Sequence, residues 1–243
     1  MTTAKDRSAA PDSSASLEVH SVDSDELHDA FTRDGVVLVR DLLGPEQVTE
    51  LRRNIARYRK WLLQALPDDW SRREPDGTLR GMYFLERADP YFAAFGADPR
   101  FSGLVERITG RAASFASMET FHKPARVGSP SLVHQDGIYY EGTSIVGVNM
   151  WIALDDARRD NGALKYWPGS HREGLRPHGG VADDPYFRAM APAAVEAMGP
   201  PVLAELTPGS AAFHHDKMVH GSDANTSDAP RLALAATYTL TAD

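Results

Sequence analysis

The sequence predicts an α+β fold that is mainly β, an antiparallel barrel or sandwich buttressed by helices from the first part of the chain. Two observations carry this. Apolar residues recur at steps of three and four up to about residue 110, and β-branched and aromatic runs take over after it. Helices first and strands afterwards is the order expected when helices pack on one side of an antiparallel sheet. A chain of 243 residues with 42% hydrophobic residues is long enough to build one domain with a substantial core.

The elements follow in order. Residues 1–16 mix Thr, Ala, Ser, Asp and Lys without an apolar segment, so a disordered leader is expected there, neither secretion signal nor membrane anchor. The single domain is expected over 17–243. Ser24 is a candidate N-cap for a short helix from Asp25 to Arg33 that Asp34-Gly35 stops, and Val36 to Val39 reads as a strand. Gly44-Pro45 opens the longest helix, with Val48, Leu51, Ile55, Tyr58 and Leu62 on one face. Its other face carries Arg52, Arg53, Arg57, Arg59 and Lys60, read as a solvated edge. From Pro67 to Asp98 the sequence is polar and broken, a loop whose cluster Met82-Tyr83-Phe84-Leu85 packs over a core or walls a pocket. Phe101, Leu104, Val105 and Ile108 mark a helix before Gly110.

Strands are expected at Ser114 to Lys123, Ile145 to Leu154, Ala163 to Tyr166, Val202 to Leu206, Ala211 to His214 and Leu232 to Leu240. An insertion, Gly179 to Pro201, interrupts this half. Its stretch from Asp184 to Met198 reads as helical apart from Pro185 and Pro192, and such an insertion can serve as a lid.

The chemistry concentrates at Ser131 to Gly137. On a strand, His134 and Asp136 project to one face while Gln135 points away. An imidazole and a carboxylate side by side, completed by a distant His, make the facial triad that holds Fe(II) and leaves other coordination positions open. Eighty-four residues beyond Asp136 comes His220, followed by Gly221 and Ser222, and eleven residues later Arg231 opens the last apolar run. An Arg there can grip a dicarboxylic co-substrate with two parallel hydrogen bonds. His214 and His215 also lie close to His220 in sequence and are expected to pack or hydrogen-bond near the pocket.

Composition excludes much else. There is no Cys, hence no disulfide, zinc-thiolate site, iron–sulfur cluster or catalytic thiol. A net charge of -8 without a block of Lys and Arg argues against nucleic acid. No apolar run is long enough to cross a bilayer, so a cytoplasmic protein without a membrane partner is expected. The oligomeric state, monomer or dimer, is open.

Between Val36 and Thr239 the chain resembles the phytanoyl-CoA dioxygenase family of Fe(II)- and 2-oxoglutarate-dependent oxygenases. The stretches that carry the resemblance are His134-Gln135-Asp136, Trp151-Ile152-Ala153-Leu154-Asp155-Asp156, Asn161-Gly162-Ala163-Leu164, Pro168-Gly169-Ser170-His171, His220-Gly221-Ser222, Asn225-Thr226-Ser227 and Arg231. The resemblance implies a double-stranded β-helix of the jelly-roll, cupin-like kind, with iron on His134, Asp136 and His220. It further implies 2-oxoglutarate on Arg231 and Ser222 beside Trp151, with Met118 and Lys123 as weaker matches. O2 is the oxidant, and ascorbate an optional reductant. The implied reaction is hydroxylation of a small molecule, with desaturation, epimerisation or cyclisation as alternative outcomes. The carboxylate at 136 disfavours halogenation, which in related enzymes needs a small residue there. Arg80, Met82, Phe84, Tyr139, Tyr140, His178 and Phe187 are candidate substrate contacts, and the substrate is expected to be a secondary-metabolite intermediate. Two rival readings remain: a zinc hydrolase, which leaves Arg231 and Ser222 without a role, and a ligand-binding barrel without catalysis.

Overall fold

Alternation along short apolar strands separates the two larger of three apolar clusters among the described residues. A computed structural model describes residues 17–181 and 184–241, and the expected leader lies outside them. In chain order the elements are β1 (Val19–His20), α1 (Leu27–Asp34), β2 (Val36–Val39), α2 (Pro45–Trp61), β3 (Ser71–Arg73), β4 (Leu79–Met82), α3 (Leu85–Ala88), α4 (Pro90–Gly96), α5 (Pro99–Thr109), β5 (Ala113–Lys123), β6 (Ser131–His134), β7 (Val146–Ala153), β8 (Leu164–Tyr166), β9 (His178–Val181), β10 (Asp184–Met190), α6 (Pro192–Glu196), β11 (Val202–Ala204), β12 (Ala211–His215), β13 (His220–Ser222) and β14 (Arg231–Leu240).

Eight strands form the large sheet in the order β1-β2-β12-β7-β14-β5-β4-β3, and four form the small sheet, β11-β8-β13-β6. One face of the large sheet packs on the helices. Val37 and Val39 of β2, Met150 and Ile152 of β7 and Leu234 and Ala236 of β14 meet Leu51, Ile55 and Tyr58 of α2 and the apolar face of α5 there. The intervening residues Val36, Leu38, Trp151, Ala153, Ala233 and Ala235 point the other way and join Leu164 and Tyr166 of the small sheet. Two layers closing on this second core make a double-stranded β-helix.

The long helix begins at Pro45 and buries the predicted Val48, Leu51, Ile55 and Tyr58, each burial contributing roughly 1.5–3 kcal/mol. It ends at Trp61, so Leu62 lies one residue past it. Its basic edge is not simply solvated. Arg52 donates to the Leu154 carbonyl at 2.6 Å and pairs with Asp155, and Arg57 pairs with Asp89. The first helix starts two residues later than expected, at Leu27, with Ser24 Oγ accepting from the Glu26 N–H at 3.2 Å.

Two regions depart from expectation. The stretch read as a loop from Pro67 to Asp98 contains β3, β4, α3 and α4, elements of three to seven residues that show no readable periodicity. The stretch from Asp184 to Met198, read as helical, is a strand followed by a single helical turn. The strand β10 pairs antiparallel with β9, and this pairing overrides the helix propensity of its Ala and Met residues.

Candidate metal centre

The two histidines of the motif face each other because their strands do. β13 pairs antiparallel with β6, and His220 stands directly opposite His134, with ring centroids 4.3 Å apart. The carboxylate arrives differently from the expectation. β6 ends at His134, and Asp136 opens a 3₁₀ turn over Asp136–Tyr140 rather than continuing the strand. Gln135 between them remains extended (φ -126°, ψ 129°), which carries the alternation one residue further and turns Asp136 back toward His134. Asp136 Oδ1 lies 3.4 Å from His134 Nε2 and 3.7 Å from His220 Nε2. One donor atom from each of the three lies within 4.8 Å of the others, a spread that one metal ion can bridge.

Each ring is held so that its metal-facing nitrogen carries a lone pair. His134 Nδ1 meets the Leu132 carbonyl at 2.7 Å and His220 Nδ1 meets the Met218 carbonyl at 3.0 Å. A carbonyl only accepts, so Nδ1 bears the proton in both rings and Nε2 is the free donor. Burial pushes His220 down to about 3, keeping it a neutral ligand. Burial alone would raise the Asp136 carboxyl, but His220 and the contacts of His134 and His214 together hold it well below the usual carboxylate range.

Sequence reasoning assigned no partner to Asp136, and the structure supplies several. Asn149 Nδ2 donates to Asp136 Oδ2 at 2.5 Å, and His214 Nε2 lies 3.1 Å from the same oxygen. An ionised carboxylate cannot donate, so His214 carries its proton on Nε2 and accepts the Tyr166 hydroxyl at Nδ1, 3.0 Å away. Thr237 Oγ1 donates to Asn149 Oδ1 at 2.5 Å and fixes that amide. Gln135, completely buried, donates to the Gly174 and Lys217 carbonyls and accepts the Arg176 N–H, anchoring the motif from behind. The register of β12 on β7, which pairs His214 with Asn149, was the one signal for this network, and sequence spacing does not reveal register.

Arg231 opens β14 opposite Lys123 of β5, and both are buried. The Arg231 guanidinium lies 5.2 Å from the centre of the Trp151 ring. Arg231 Nε and Ser222 Oγ are buried without a hydrogen-bond partner. Burial drives Arg231 down to about 9 and Lys123 down to about 6, and the mutual repulsion of the two, with that of Arg80, adds to the Lys123 shift. Lys123 Nζ donates to the Ser129 carbonyl at 2.5 Å, and its stem passes over Gly162, where a Cβ would meet Lys123 Cδ at 2.6 Å. With φ +87°, Gly162 is the residue that the turn and the close approach both require.

The remaining candidates divide. Phe187 stands edge-on to His134 at 4.8 Å between ring centroids. Tyr139 and Tyr140 lie within the electrostatic reach of Asp136. Arg80 donates to the Pro130 carbonyl at 2.8 Å, and its charge acts on Arg231 and Lys123. His178 has both nitrogens engaged, Nδ1 with the Arg176 carbonyl and Nε2 with the Gln135 N–H. Met118 and Met82 are not brought to the site: both are buried in the helix-facing core, because on β5 Met118 alternates away from Glu119, Phe121 and Lys123. Phe84 packs on Trp70 and under Arg87 instead.

A jelly roll that holds two imidazoles and one carboxylate inside its barrel, with two further buried polar atoms awaiting a partner, has the build of a mononuclear non-haem metal enzyme. The profile of the Phytanoyl-CoA dioxygenase (PhyH) family matches residues 31–233. The chain belongs to that family of Fe(II)- and 2-oxoglutarate-dependent dioxygenases, which sets the zinc hydrolase aside. It is 24% identical over 231 residues to the ectoine dioxygenase of Stutzerimonas stutzeri (strain A1501), covering 88% of this chain and 76% of that one. Among solved structures it is similar to EctD from S. alaskensis with 2-oxoglutarate and 5-hydroxyectoine, with a TM-score of 0.76, 20% identity and coverage of 90% of this chain and 77% of that one. It is also similar to the non-haem α-ketoglutarate-dependent epimerase SnoN from nogalamycin biosynthesis, with a TM-score of 0.69, 23% identity and coverage of 88% and 82%. Among the described residues, no helix is long and apolar enough to cross a membrane.

Proposed function

We propose that this protein hydroxylates an unactivated C–H bond of a small secondary-metabolite intermediate, releasing succinate and CO2. The observation that carries this reading is the coexistence, inside one barrel, of the His134, Asp136 and His220 triad with the orphaned Arg231 Nε and Ser222 Oγ. A dicarboxylic keto acid fits both features, since its distal carboxylate would pair with Arg231 and accept from the Ser222 hydroxyl. Iron bound at the triad, with 2-oxoglutarate and O2, supplies the oxidising power for C–H cleavage.

The residues themselves have separable tasks. His134 and His220 offer fixed lone pairs, and Asp136 supplies the negative charge that a divalent cation needs. Lys123 adds a second cation beside Arg231 that regains its proton when the dianion arrives. Trp151 flanks the guanidinium and excludes water from the pair. Phe187, Tyr139 and Tyr140 line the side on which substrate meets the triad.

The test is oxygen-dependent formation of succinate from 2-oxoglutarate by the iron-loaded protein. Stoichiometric succinate that vanishes without O2 or iron supports the oxygenase. Binding of 2-oxoglutarate without any succinate would favour a ligand-binding barrel.

A further inference from the structure

Glu119 lies on the interior face of β5 with no described group to balance it. It pairs in register with Ala235 of β14, which in turn pairs with Trp151 of β7, so the three share the face that lines the barrel. The neighbouring register row, two residues along, holds Ser117, Thr237 and Asn149, and Asn149 is the residue that donates to Asp136. That spacing puts Glu119 about 7 Å along the strand from the row that supports the metal centre. Among the described residues its carboxylate has no hydrogen bond and no ion pair.

The surroundings define what would fit. The charges that act on Glu119 are the carboxylates of Asp136 and Glu86, both repulsive, and burial with this repulsion pushes it up to about 8. Arg72 and Arg80 act on Tyr83, but no cation counters Glu119 among the described residues. Three tyrosines, Tyr83, Tyr139 and Tyr140, lie within its electrostatic reach. With Fe(II) and the chelating carboxylate of 2-oxoglutarate both bound, the charges at the metal centre would cancel and Glu119 would still lack a cation of its own. A half-buried carboxylate on the barrel's interior face with no cation of its own selects a positively charged group, because an ion pair restores the ionised form and the nearby tyrosines would attract positive charge. A neutral hydroxyl would meet only the protonated acid and gain a hydrogen bond without the ion pair.

We propose that Glu119 determines substrate specificity by receiving a protonated amine of the primary substrate between Tyr83, Tyr139 and Tyr140. The inference rests on the oxygenase reading above, since it takes the space beside the triad as the substrate site. It therefore needs a readout that is independent of turnover. Calorimetric titration of the anaerobic protein, loaded with Fe(II) and 2-oxoglutarate, with cyclohexylmethylamine and with its isostere cyclohexylmethanol supplies one. The expected result is an amine bound at least ~10-fold tighter than the alcohol, with the ratio falling below ~2 in Glu119→Gln, a difference of more than ~1 kcal/mol. The wild-type ratio needs no variant, so misfolding of Glu119→Gln cannot obscure it. Equal affinities, a preference for the alcohol, no amine binding, or a preference that survives Glu119→Gln would overturn the proposal. A protein that keeps the amine preference but forms no succinate would contradict the oxygenase reading alone.

Discussion

At the metal end of the barrel, Asp136 Oδ2 has two donors, Asn149 and His214, and the outer nitrogens of both histidine ligands are tied to carbonyls. At the Arg231 end, Arg231 Nε and Ser222 Oγ are buried without partners, and Lys123 is driven toward its neutral form. The first end is preorganised by its own hydrogen bonds. The second leaves the Arg231 guanidinium desolvated and drives Lys123 off its proton, a cost to the folded protein that an entering anion would relieve. On the proposed reading the contrast separates tasks: ligand orientation is fixed during folding, and affinity for the co-substrate would be drawn from groups that folding leaves unsatisfied.

The largest test of this contrast is Arg231→Leu. Removing the guanidinium leaves the keto acid's distal carboxylate desolvated and unpaired, which costs about 3–5 kcal/mol. The 2-oxoglutarate requirement in a succinate assay should rise by roughly two to three and a half decades at ~1.4 kcal/mol per decade, while iron affinity is retained. An unchanged requirement would mean that the co-substrate is held elsewhere.

His214→Ala probes the other end and should be smaller. It removes one of the Asp136 donors without touching a ligand, so an anaerobic iron titration should show a loss of ~10–100-fold, the usual effect of an outer partner. The 2-oxoglutarate requirement at saturating iron should stay near that of the wild type. If both constants moved together, the two ends would not be independent.

The smallest effect is on stability. Lys123 is depressed to about 6 in the folded protein from its ordinary value of 10.5. Between those values the unfolded chain binds the proton and the folded one does not, so this group's contribution becomes more favourable as pH rises. Lys123→Met should raise the apo melting temperature at pH 7 by at least ~2 °C. The gain should shrink as pH approaches 10. A variant that melts lower at pH 7 would show that the Ser129 hydrogen bond outweighs the desolvation.

The triad was legible because its members sit in motifs with distinctive neighbours. His220 could be told from His214 and His215 by Gly221, Ser222 and the offset to Arg231. The strand-rich half was legible for a similar local reason: runs such as Leu232 to Leu240 are buried over most of their length and are rich in aliphatic residues. The partners of Asp136 were not legible, since Asn149 and His214 meet it only through the register of β7 and β12. Met118 was misplaced by family position, and strand parity corrects it, because a residue beside Glu119 must face the helices when Glu119 faces the barrel. Glu119 went unnoticed for the opposite reason. It belongs to no motif, and its meaning comes from what the fold leaves unpaired around it.

The account depends on iron and 2-oxoglutarate meeting in one site that His134, Asp136 and His220 build together. Anaerobic titration of the metal-free protein with Fe(II), followed by 2-oxoglutarate and read by the charge-transfer absorption that a chelated keto acid gives with Fe(II), tests this directly. One iron per chain, with the absorption appearing only when both are present and failing in Asp136→Ala, is the predicted result. An absorption that survives Asp136→Ala, or 2-oxoglutarate binding that is indifferent to iron, would contradict it.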